Sequence, residues 1–118
     1  MTSLPAACAI GYQARGSLSD VAGELRGKGY PGNAEGGGRF ALADRDGRLQ
    51  CDGQMLPAEN SPVPGSCAGE TGKGVVRCSD GREVPVRWQA ITCRSFEGGG
   101  EDKFGNRLFF RVDRSIQR

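Results

Sequence analysis

The chain has 118 residues and a mass of 12.5 kDa, with 20 glycines and 6 prolines against 36% apolar residues. That composition sets one small core with many turns and excludes long helices. Sixteen cations, thirteen of them arginine, against fourteen acids leave a net charge of +2, neither the basic excess of a nucleic-acid domain nor the acidic excess of a disordered tail. No histidine is present, which removes His-based acid/base chemistry, Ser-His-Asp and Cys-His nucleophiles and imidazole metal ligands together.

In chain order, residues 1–17 are weakly patterned and read as a flexible N-terminal tether, with residues 18–118 as a single β domain. Ser19 or Asp20 offers an N-cap for a helix over 18–26, but Gly23, Gly27 and Gly29 stop it early, so a first strand near 21–28 is preferred. A glycine loop at 32–38 leads to Arg39-Phe40-Ala41-Leu42-Ala43, the turn Asp46-Gly47 and the run 48–55, the pattern of a β-hairpin. Residues 57–66, with Pro57, Pro62 and Pro64, form a loop. The clearest hairpin joins Lys73–Cys78 to Arg82–Trp88 through Ser79-Asp80-Gly81, placing Val84, Val86 and Trp88 on one face. Pro85 then marks an edge strand or a ladder position that needs no amide. A further run spans Ala90 to Phe96, Gly98 to Gly100 follow it, and a last hairpin joins Lys103-Phe104 to Arg107–Val112 through Gly105-Asn106. Strands every 8 to 15 residues predict an all-β fold, a small antiparallel barrel or sandwich of about six to eight strands.

The cysteines are Cys8, Cys51, Cys67, Cys78 and Cys93, with no zinc-ribbon spacing. Four lie in the β-patterned body, so two disulfides plus one odd cysteine, in an oxidising compartment, is the favoured partition. The alternative is five reduced, buried thiols in a cytosolic domain. Gly38–Gly53 and Gly74–Gly81 echo each other, an apolar strand ending in Cys51-Asp52-Gly53 and in Cys78-Ser79-Asp80-Gly81, which favours Cys51–Cys78 facing each other across a core and Cys67–Cys93 as the second bridge. Leu4-Pro5-Ala6-Ala7-Cys8 looks like a bacterial lipobox with Pro5 where the leucine usually stands, and makes Cys8 the candidate for lipidation. No segment approaches the roughly 18 apolar residues of a spanning helix, so membrane contact is expected only through such an anchor.

Gly47-Arg48-Leu49-Gln50-Cys51-Asp52-Gly53, Gly72-Lys73-Gly74 and Cys78-Ser79-Asp80-Gly81-Arg82 resemble a group of small all-β proteobacterial envelope proteins, many of them lipoproteins, over residues 20–112. Cys67, Cys93 and the proline loop depart from that pattern. The resemblance implies an all-β envelope domain with a Cys51–Cys78 bridge, periplasmic, lipid-anchored at the outer membrane or secreted, and it carries over no catalytic residue.

Gly69-Glu70-Thr71-Gly72-Lys73-Gly74 lacks the first glycine and the hydroxyl of a phosphate loop, and Asp44-Arg45-Asp46-Gly47 lacks the later ligands of a calcium loop; both read as turns. Glu97, Glu101 and Asp102 are the one candidate carboxylate group for hydrolysis. Residues 103–118 hold five cations against one acid, and Trp88, Arg107, Phe109, Arg111 and Arg114 are the candidate binding residues. Phe109 and Phe110 are adjacent and must face opposite sides of a strand, so one is left outside. The expected function is a non-enzymatic, disulfide-stabilised envelope module, structural, accessory or binding, with no cofactor or metal and an envelope protein or polymer as partner. The alternative is a small OB-like polyanion or nucleic-acid binder using the C-terminal arginines and aromatics, with nucleic acid disfavoured by oxidised cysteines.

Overall fold

Strands β1 (Ala6–Leu18), β2 (Leu25–Asn33), β3 (Gly36–Ala43), β4 (Gln50–Met55), β5 (Thr71–Cys78), β6 (Glu83–Thr92), β7 (Ser95–Glu101) and β8 (Arg107–Ile116) form a closed antiparallel barrel in a computed structural model that describes residues 6–33 and 36–116. Each strand pairs with its neighbour in sequence, and β8 returns to β1 in a ladder from Ile10↔Ile116 to Leu18↔Leu108. Closure leaves no edge. Pro85 therefore occupies a ladder position without need of an N–H, opposite Val75.

Alternation along each strand puts the apolar set inside. Val84, Val86, Trp88 and Ala90 of β6 point inward, as do Phe40 and Leu42 of β3 and Leu108, Phe110 and Val112 of β8. An eight-stranded barrel is just wide enough for side chains to fill it. Here the rings of Phe40 and Phe110 stack at 4.5 Å, with Phe96 at 6.4 and 6.3 Å from them and Trp88 at 6.3 Å from Phe96. Room for these rings comes from glycines at inward strand positions: the Phe40 ring fills the space above Gly53 that any β-carbon would need.

The β1–β2, β3–β4, β5–β6 and β7–β8 turns gather at one pole of the barrel. The opposite pole carries the 56–70 loop, the Cys93-Arg94 turn and the outer ends of β1 and β8. The turns at Gly47, Gly81 and Gly105 fall where turn chemistry placed them, each glycine with positive φ (71°, 91° and 85°).

Several expected boundaries move. From residue 6 on, the tether reading gives way to β1, whose inward positions Tyr12, Ala14, Gly16 and Leu18 include two with little or no side chain, and residues 1–5 lie outside the described residues. The expected first strand near 21–28 is instead the turn at 19–24 followed by β2, and glycines 36–38 of the expected loop belong to β3. Residues 90–96 are not one strand but the end of β6, a turn and the start of β7, with a register shift between Ala90 and Thr92. Gly98–Gly100 lie within β7, opposite Trp88, Arg87 and Val86, and the strand preceding the last turn is β7 rather than Lys103-Phe104. Backbone atoms of Cys8 belong to β1, while its side chain lies outside the described residues.

Candidate functional site

Both expected disulfides form. Cys51 and Cys78 are direct cross-strand partners on β4 and β5, with Cα atoms 3.9 Å apart, so this bridge joins neighbouring strands inside the wall instead of crossing the core. Cys67–Cys93 ties the 56–70 loop to the β6–β7 turn, and the Cys67 amide donates a hydrogen bond to Cys93 Sγ at 3.2 Å. Two bridges in a chain of this size indicate an oxidising, non-cytoplasmic compartment.

With the interior occupied, surface chemistry falls to the poles and the outer wall. At the turn pole Arg82 is largely buried and gathers carboxylates from three separate turns. Its guanidinium donates to both oxygens of Asp20 at 2.9 Å and to Asp80 Oδ2 at 2.9 Å, and stands 3.6 Å from Asp102 Oδ2. Asp102 is itself buried and accepts from the amides of Phe104 and Asn106 and from the Asn106 side chain. Hydrogen bonds from Arg82 hold Asp20 and Asp80 below the ordinary carboxylate value, and those from Asn106 do the same for Asp102. Hydrogen bonds to Asp20 and Asp80 in turn raise Arg82. Every member is satisfied within the cluster, so it closes the pole and offers no open ligand position.

Of the expected binding residues, Arg107, Phe109 and Arg111 take successive outward positions on β8. Trp88 does not join them: it shares parity with Val84 and Val86, is 5% exposed, and its indole N–H donates to the carbonyls of Leu56 and Lys73. The Arg114 side chain lies outside the described residues. Arg107 pairs with Glu101 at 3.1 Å, and Arg111 pairs with Glu97 at 3.2 Å and Asp113 at 2.8 Å, the Asp113 hydrogen bond raising its pKa. Two of the five C-terminal cations, Arg107 and Arg111, are thus neutralised by β7, directly across the ladder. Phe109 is the outward member of the phenylalanine pair, 49% exposed, beside a shallow groove of about 310 Å³.

The candidate carboxylates are dispersed. Glu97 and Glu101 sit four residues apart on β7, about 13 Å along an extended strand, each held by an arginine of β8. Asp102 points the opposite way, into the pole. A glycosidase-type carboxylate pair needs about 5 to 9.5 Å, and Glu97 and Glu101 stand farther apart than that along β7. The OB-like alternative also fails in topology, because every connection here is nearest-neighbour in a closed eight-stranded barrel, whereas an OB-fold is a five-stranded Greek key.

Charge on the outer wall is divided by strand. The described outward cations of β5 to β8 are all paired: Lys73 and Arg87 with Glu59, Arg77 with Glu83, and Arg107 and Arg111 as above. On β1 to β3 the outward cations are Arg15, Arg26, Lys28 and Arg39, and among the described residues only Arg26 has a carboxylate partner, Glu24. Arg15 and Arg26 are direct cross-strand partners. Arg39 lies over the ring of Tyr30, itself 50% exposed, at 5.4 Å. A groove of about 520 Å³ runs from Tyr30 and Arg39 past Asp52 and Gln54 to Arg77. The sequence reading missed this wall, since its cations share a face only once β1 and β2 have a register.

Charged side chains project outward from all eight strands while the interior is apolar, the inverse of a lipid-embedded barrel. Neither a protein-family model, nor a curated protein, nor a solved structure matches the chain.

Proposed function

We propose that the chain is a non-enzymatic binding or accessory module of the bacterial cell envelope that works through its outer wall. The observation that carries this reading is a closed, stapled barrel whose interior is filled by Phe40, Trp88, Phe96 and Phe110, which leaves the wall as the surface for recognition. The two bridges support an extracytoplasmic site, and the resemblance of the Cys51-Asp52-Gly53 and Cys78–Arg82 segments to envelope proteins supports the periplasm or the outer membrane. A lipid on Cys8, near the start of β1, would tether the barrel by the pole opposite the Arg82 cluster.

The test is an intact mass of protein made from its native full-length gene, alkylated with and without prior reduction. Expected are two bridges, at most one free thiol and a diacylglycerol-sized addition at Cys8. Five free thiols overturn the envelope reading. Polyanion binding persists as a second reading because Arg15, Lys28 and Arg39 on one wall have no carboxylate partner among the described residues; the side chains concerned are those of β1 to β3 rather than Arg107 and Arg111.

A further inference from the structure

The geometry points to an anionic polysaccharide as the ligand of the β1–β4 wall, its acidic groups lying along Arg15, Arg26, Lys28 and Arg39 and one sugar ring seated at Tyr30 in the groove beside Asp52 and Gln54. The inference rests on the reading of the chain as an envelope binding module and gives that module a ligand class and a site.

Four observations converge on it. Like charges set directly across a ladder destabilise a sheet, yet Arg15 faces Arg26 on β2 and Arg111 on β8, and among the described residues Arg26 has Glu24 as a partner while Arg15 has no carboxylate. On β5 and β6 Lys73 likewise faces Arg87 with Glu59 shared between them, so what sets the β1–β3 wall apart is that Arg15, Lys28 and Arg39 have no carboxylate partner among the described residues, whereas every described outward cation of β5 to β8 has one. An external polyanion relieves the repulsion.

The cations are also spread out rather than convergent. Arg15 and Arg26 are one strand apart, Lys28 lies two residues further along β2, and Arg39 stands opposite Tyr30, two residues beyond Lys28. Four residues of extended strand cover about 13 Å, too long for one small anion to touch every cation and suited to successive charges on an extended chain.

The adjoining groove supplies what a sugar needs and a phosphate alone does not. Tyr30 presents a half-exposed ring, Gln54 an amide directly across the ladder from Arg39, and Asp52 an exposed carboxylate for hydroxyl groups. A single aromatic platform does not match single-stranded nucleic acid, which is bound on successive stacked bases. Beyond the Tyr30 ring, the wall carries no large apolar side chain for insertion into lipid among the described residues: between the cations it presents Ala41 and Ala43.

Binding would be measured by calorimetry and affinity electrophoresis with an oligogalacturonate and a heparin-derived oligosaccharide, against a neutral oligoglucan, galacturonate monomer, oligothymidylate and phosphatidylglycerol vesicles. Expected is binding of at least one acidic oligosaccharide that weakens as salt rises, with no binding of the neutral chain or the monomer. Lys28→Gln/Arg39→Gln weakens it about tenfold or more, Tyr30→Ser weakens it without changing the salt dependence, and Arg107→Gln/Arg111→Gln leaves it unchanged. All three variants alter side chains of the outer wall, Arg111 half-buried and the others exposed, and a single cooperative thermal transition confirms the fold of each. The inference is overturned if neither acidic oligosaccharide binds, if the β8 variant loses as much as the β2–β3 variant, or if oligothymidylate or vesicles bind more tightly through the same side chains. Two intact bridges with no acidic-oligosaccharide binding would sink the ligand assignment and leave the envelope reading standing, whereas five free thiols would remove the envelope reading itself.

Discussion

Gly72 and Trp88 are cross-strand partners on β5 and β6, and the indole lies where a side chain on Gly72 would begin: a β-carbon there stands 2.7 Å from Trp88 Nε1 and Cε2. Such a distance is not tolerated by real side chains, and Trp88 cannot swing aside because its N–H is engaged by the Leu56 and Lys73 carbonyls and its ring packs on Phe96. The large ring and the missing side chain are one packing unit. Gly72→Ala is expected to cost about 2–3 kcal/mol through overpacking, read as a lower urea midpoint at unchanged m. It also shifts the emission of the chain's one tryptophan. An unchanged midpoint would show that the indole has room to move.

Phe109 and Phe110 test the strand parity on which the whole wall assignment depends. Phe110 is fully buried against Phe40 and Phe96, whereas Phe109 is half exposed opposite Gly99. Phe110→Ala is expected to cost about 3–5 kcal/mol as a core truncation, and Phe109→Ser within about 0.5 kcal/mol as a surface change. Thermal or urea unfolding of the two variants decides it, and a reversal of the order would put the β8 register out by one residue.

The same parity explains what could be read from the sequence. Hairpins at Gly47, Gly81 and Gly105 were legible because each turn needs a positive φ and offers a glycine beside Asp or Asn. β6 was legible because Val84, Val86 and Trp88 alternate strictly. β1 and β7 were not, because their inward positions include Ala14, Gly16, Gly98 and Gly100, and a glycine under a neighbour's ring looks in sequence like a loop. Surface charge was misread for a related reason: Arg107 and Arg111 form a local basic run, but their neutralising partners Glu101 and Glu97 come from the preceding strand. The Arg82 cluster joins turns up to 82 residues apart in sequence, and no local pattern announces it.

The two disulfides differ in access, and their chemistry should differ with it. Cys51 and Cys78 are buried, while Cys93 is exposed and Cys67 half-buried at the loop pole. Exchange requires a thiolate to reach a sulfur, so mild dithiothreitol is expected to open Cys67–Cys93 first. Alkylation and peptide mapping of native protein would then label Cys67 and Cys93 before Cys51 and Cys78. Because the bridges span 26 and 27 residues, loss of either costs about 3–4 kcal/mol by loop-closure entropy. Simultaneous labelling of all four would mean that reduction proceeds through global unfolding.

Acid should weaken the fold through the Arg82 cluster. Asp20, Asp80 and Asp102 all have folded pKa values lowered from 3.8, the first two by hydrogen bonds from Arg82 and the third by those from Asn106, with Arg82 adding to it. A carboxylate whose folded value lies below its unfolded one stabilises the fold fully above the unfolded value, and that contribution is lost as pH falls through the folded one. Stability from the cluster is therefore expected to be flat from pH 7 to about 5 and to decline progressively below about 4. Arg82 stays charged throughout, so it adds no second transition in this window. Arg82→Gln lowers stability at pH 7, leaving the buried Asp102 without its cation, and flattens the acid limb, so that variant and parent converge towards pH 2. Urea midpoints across that range give the comparison, and parallel curves for the two proteins would show that the three aspartates draw nothing from Arg82.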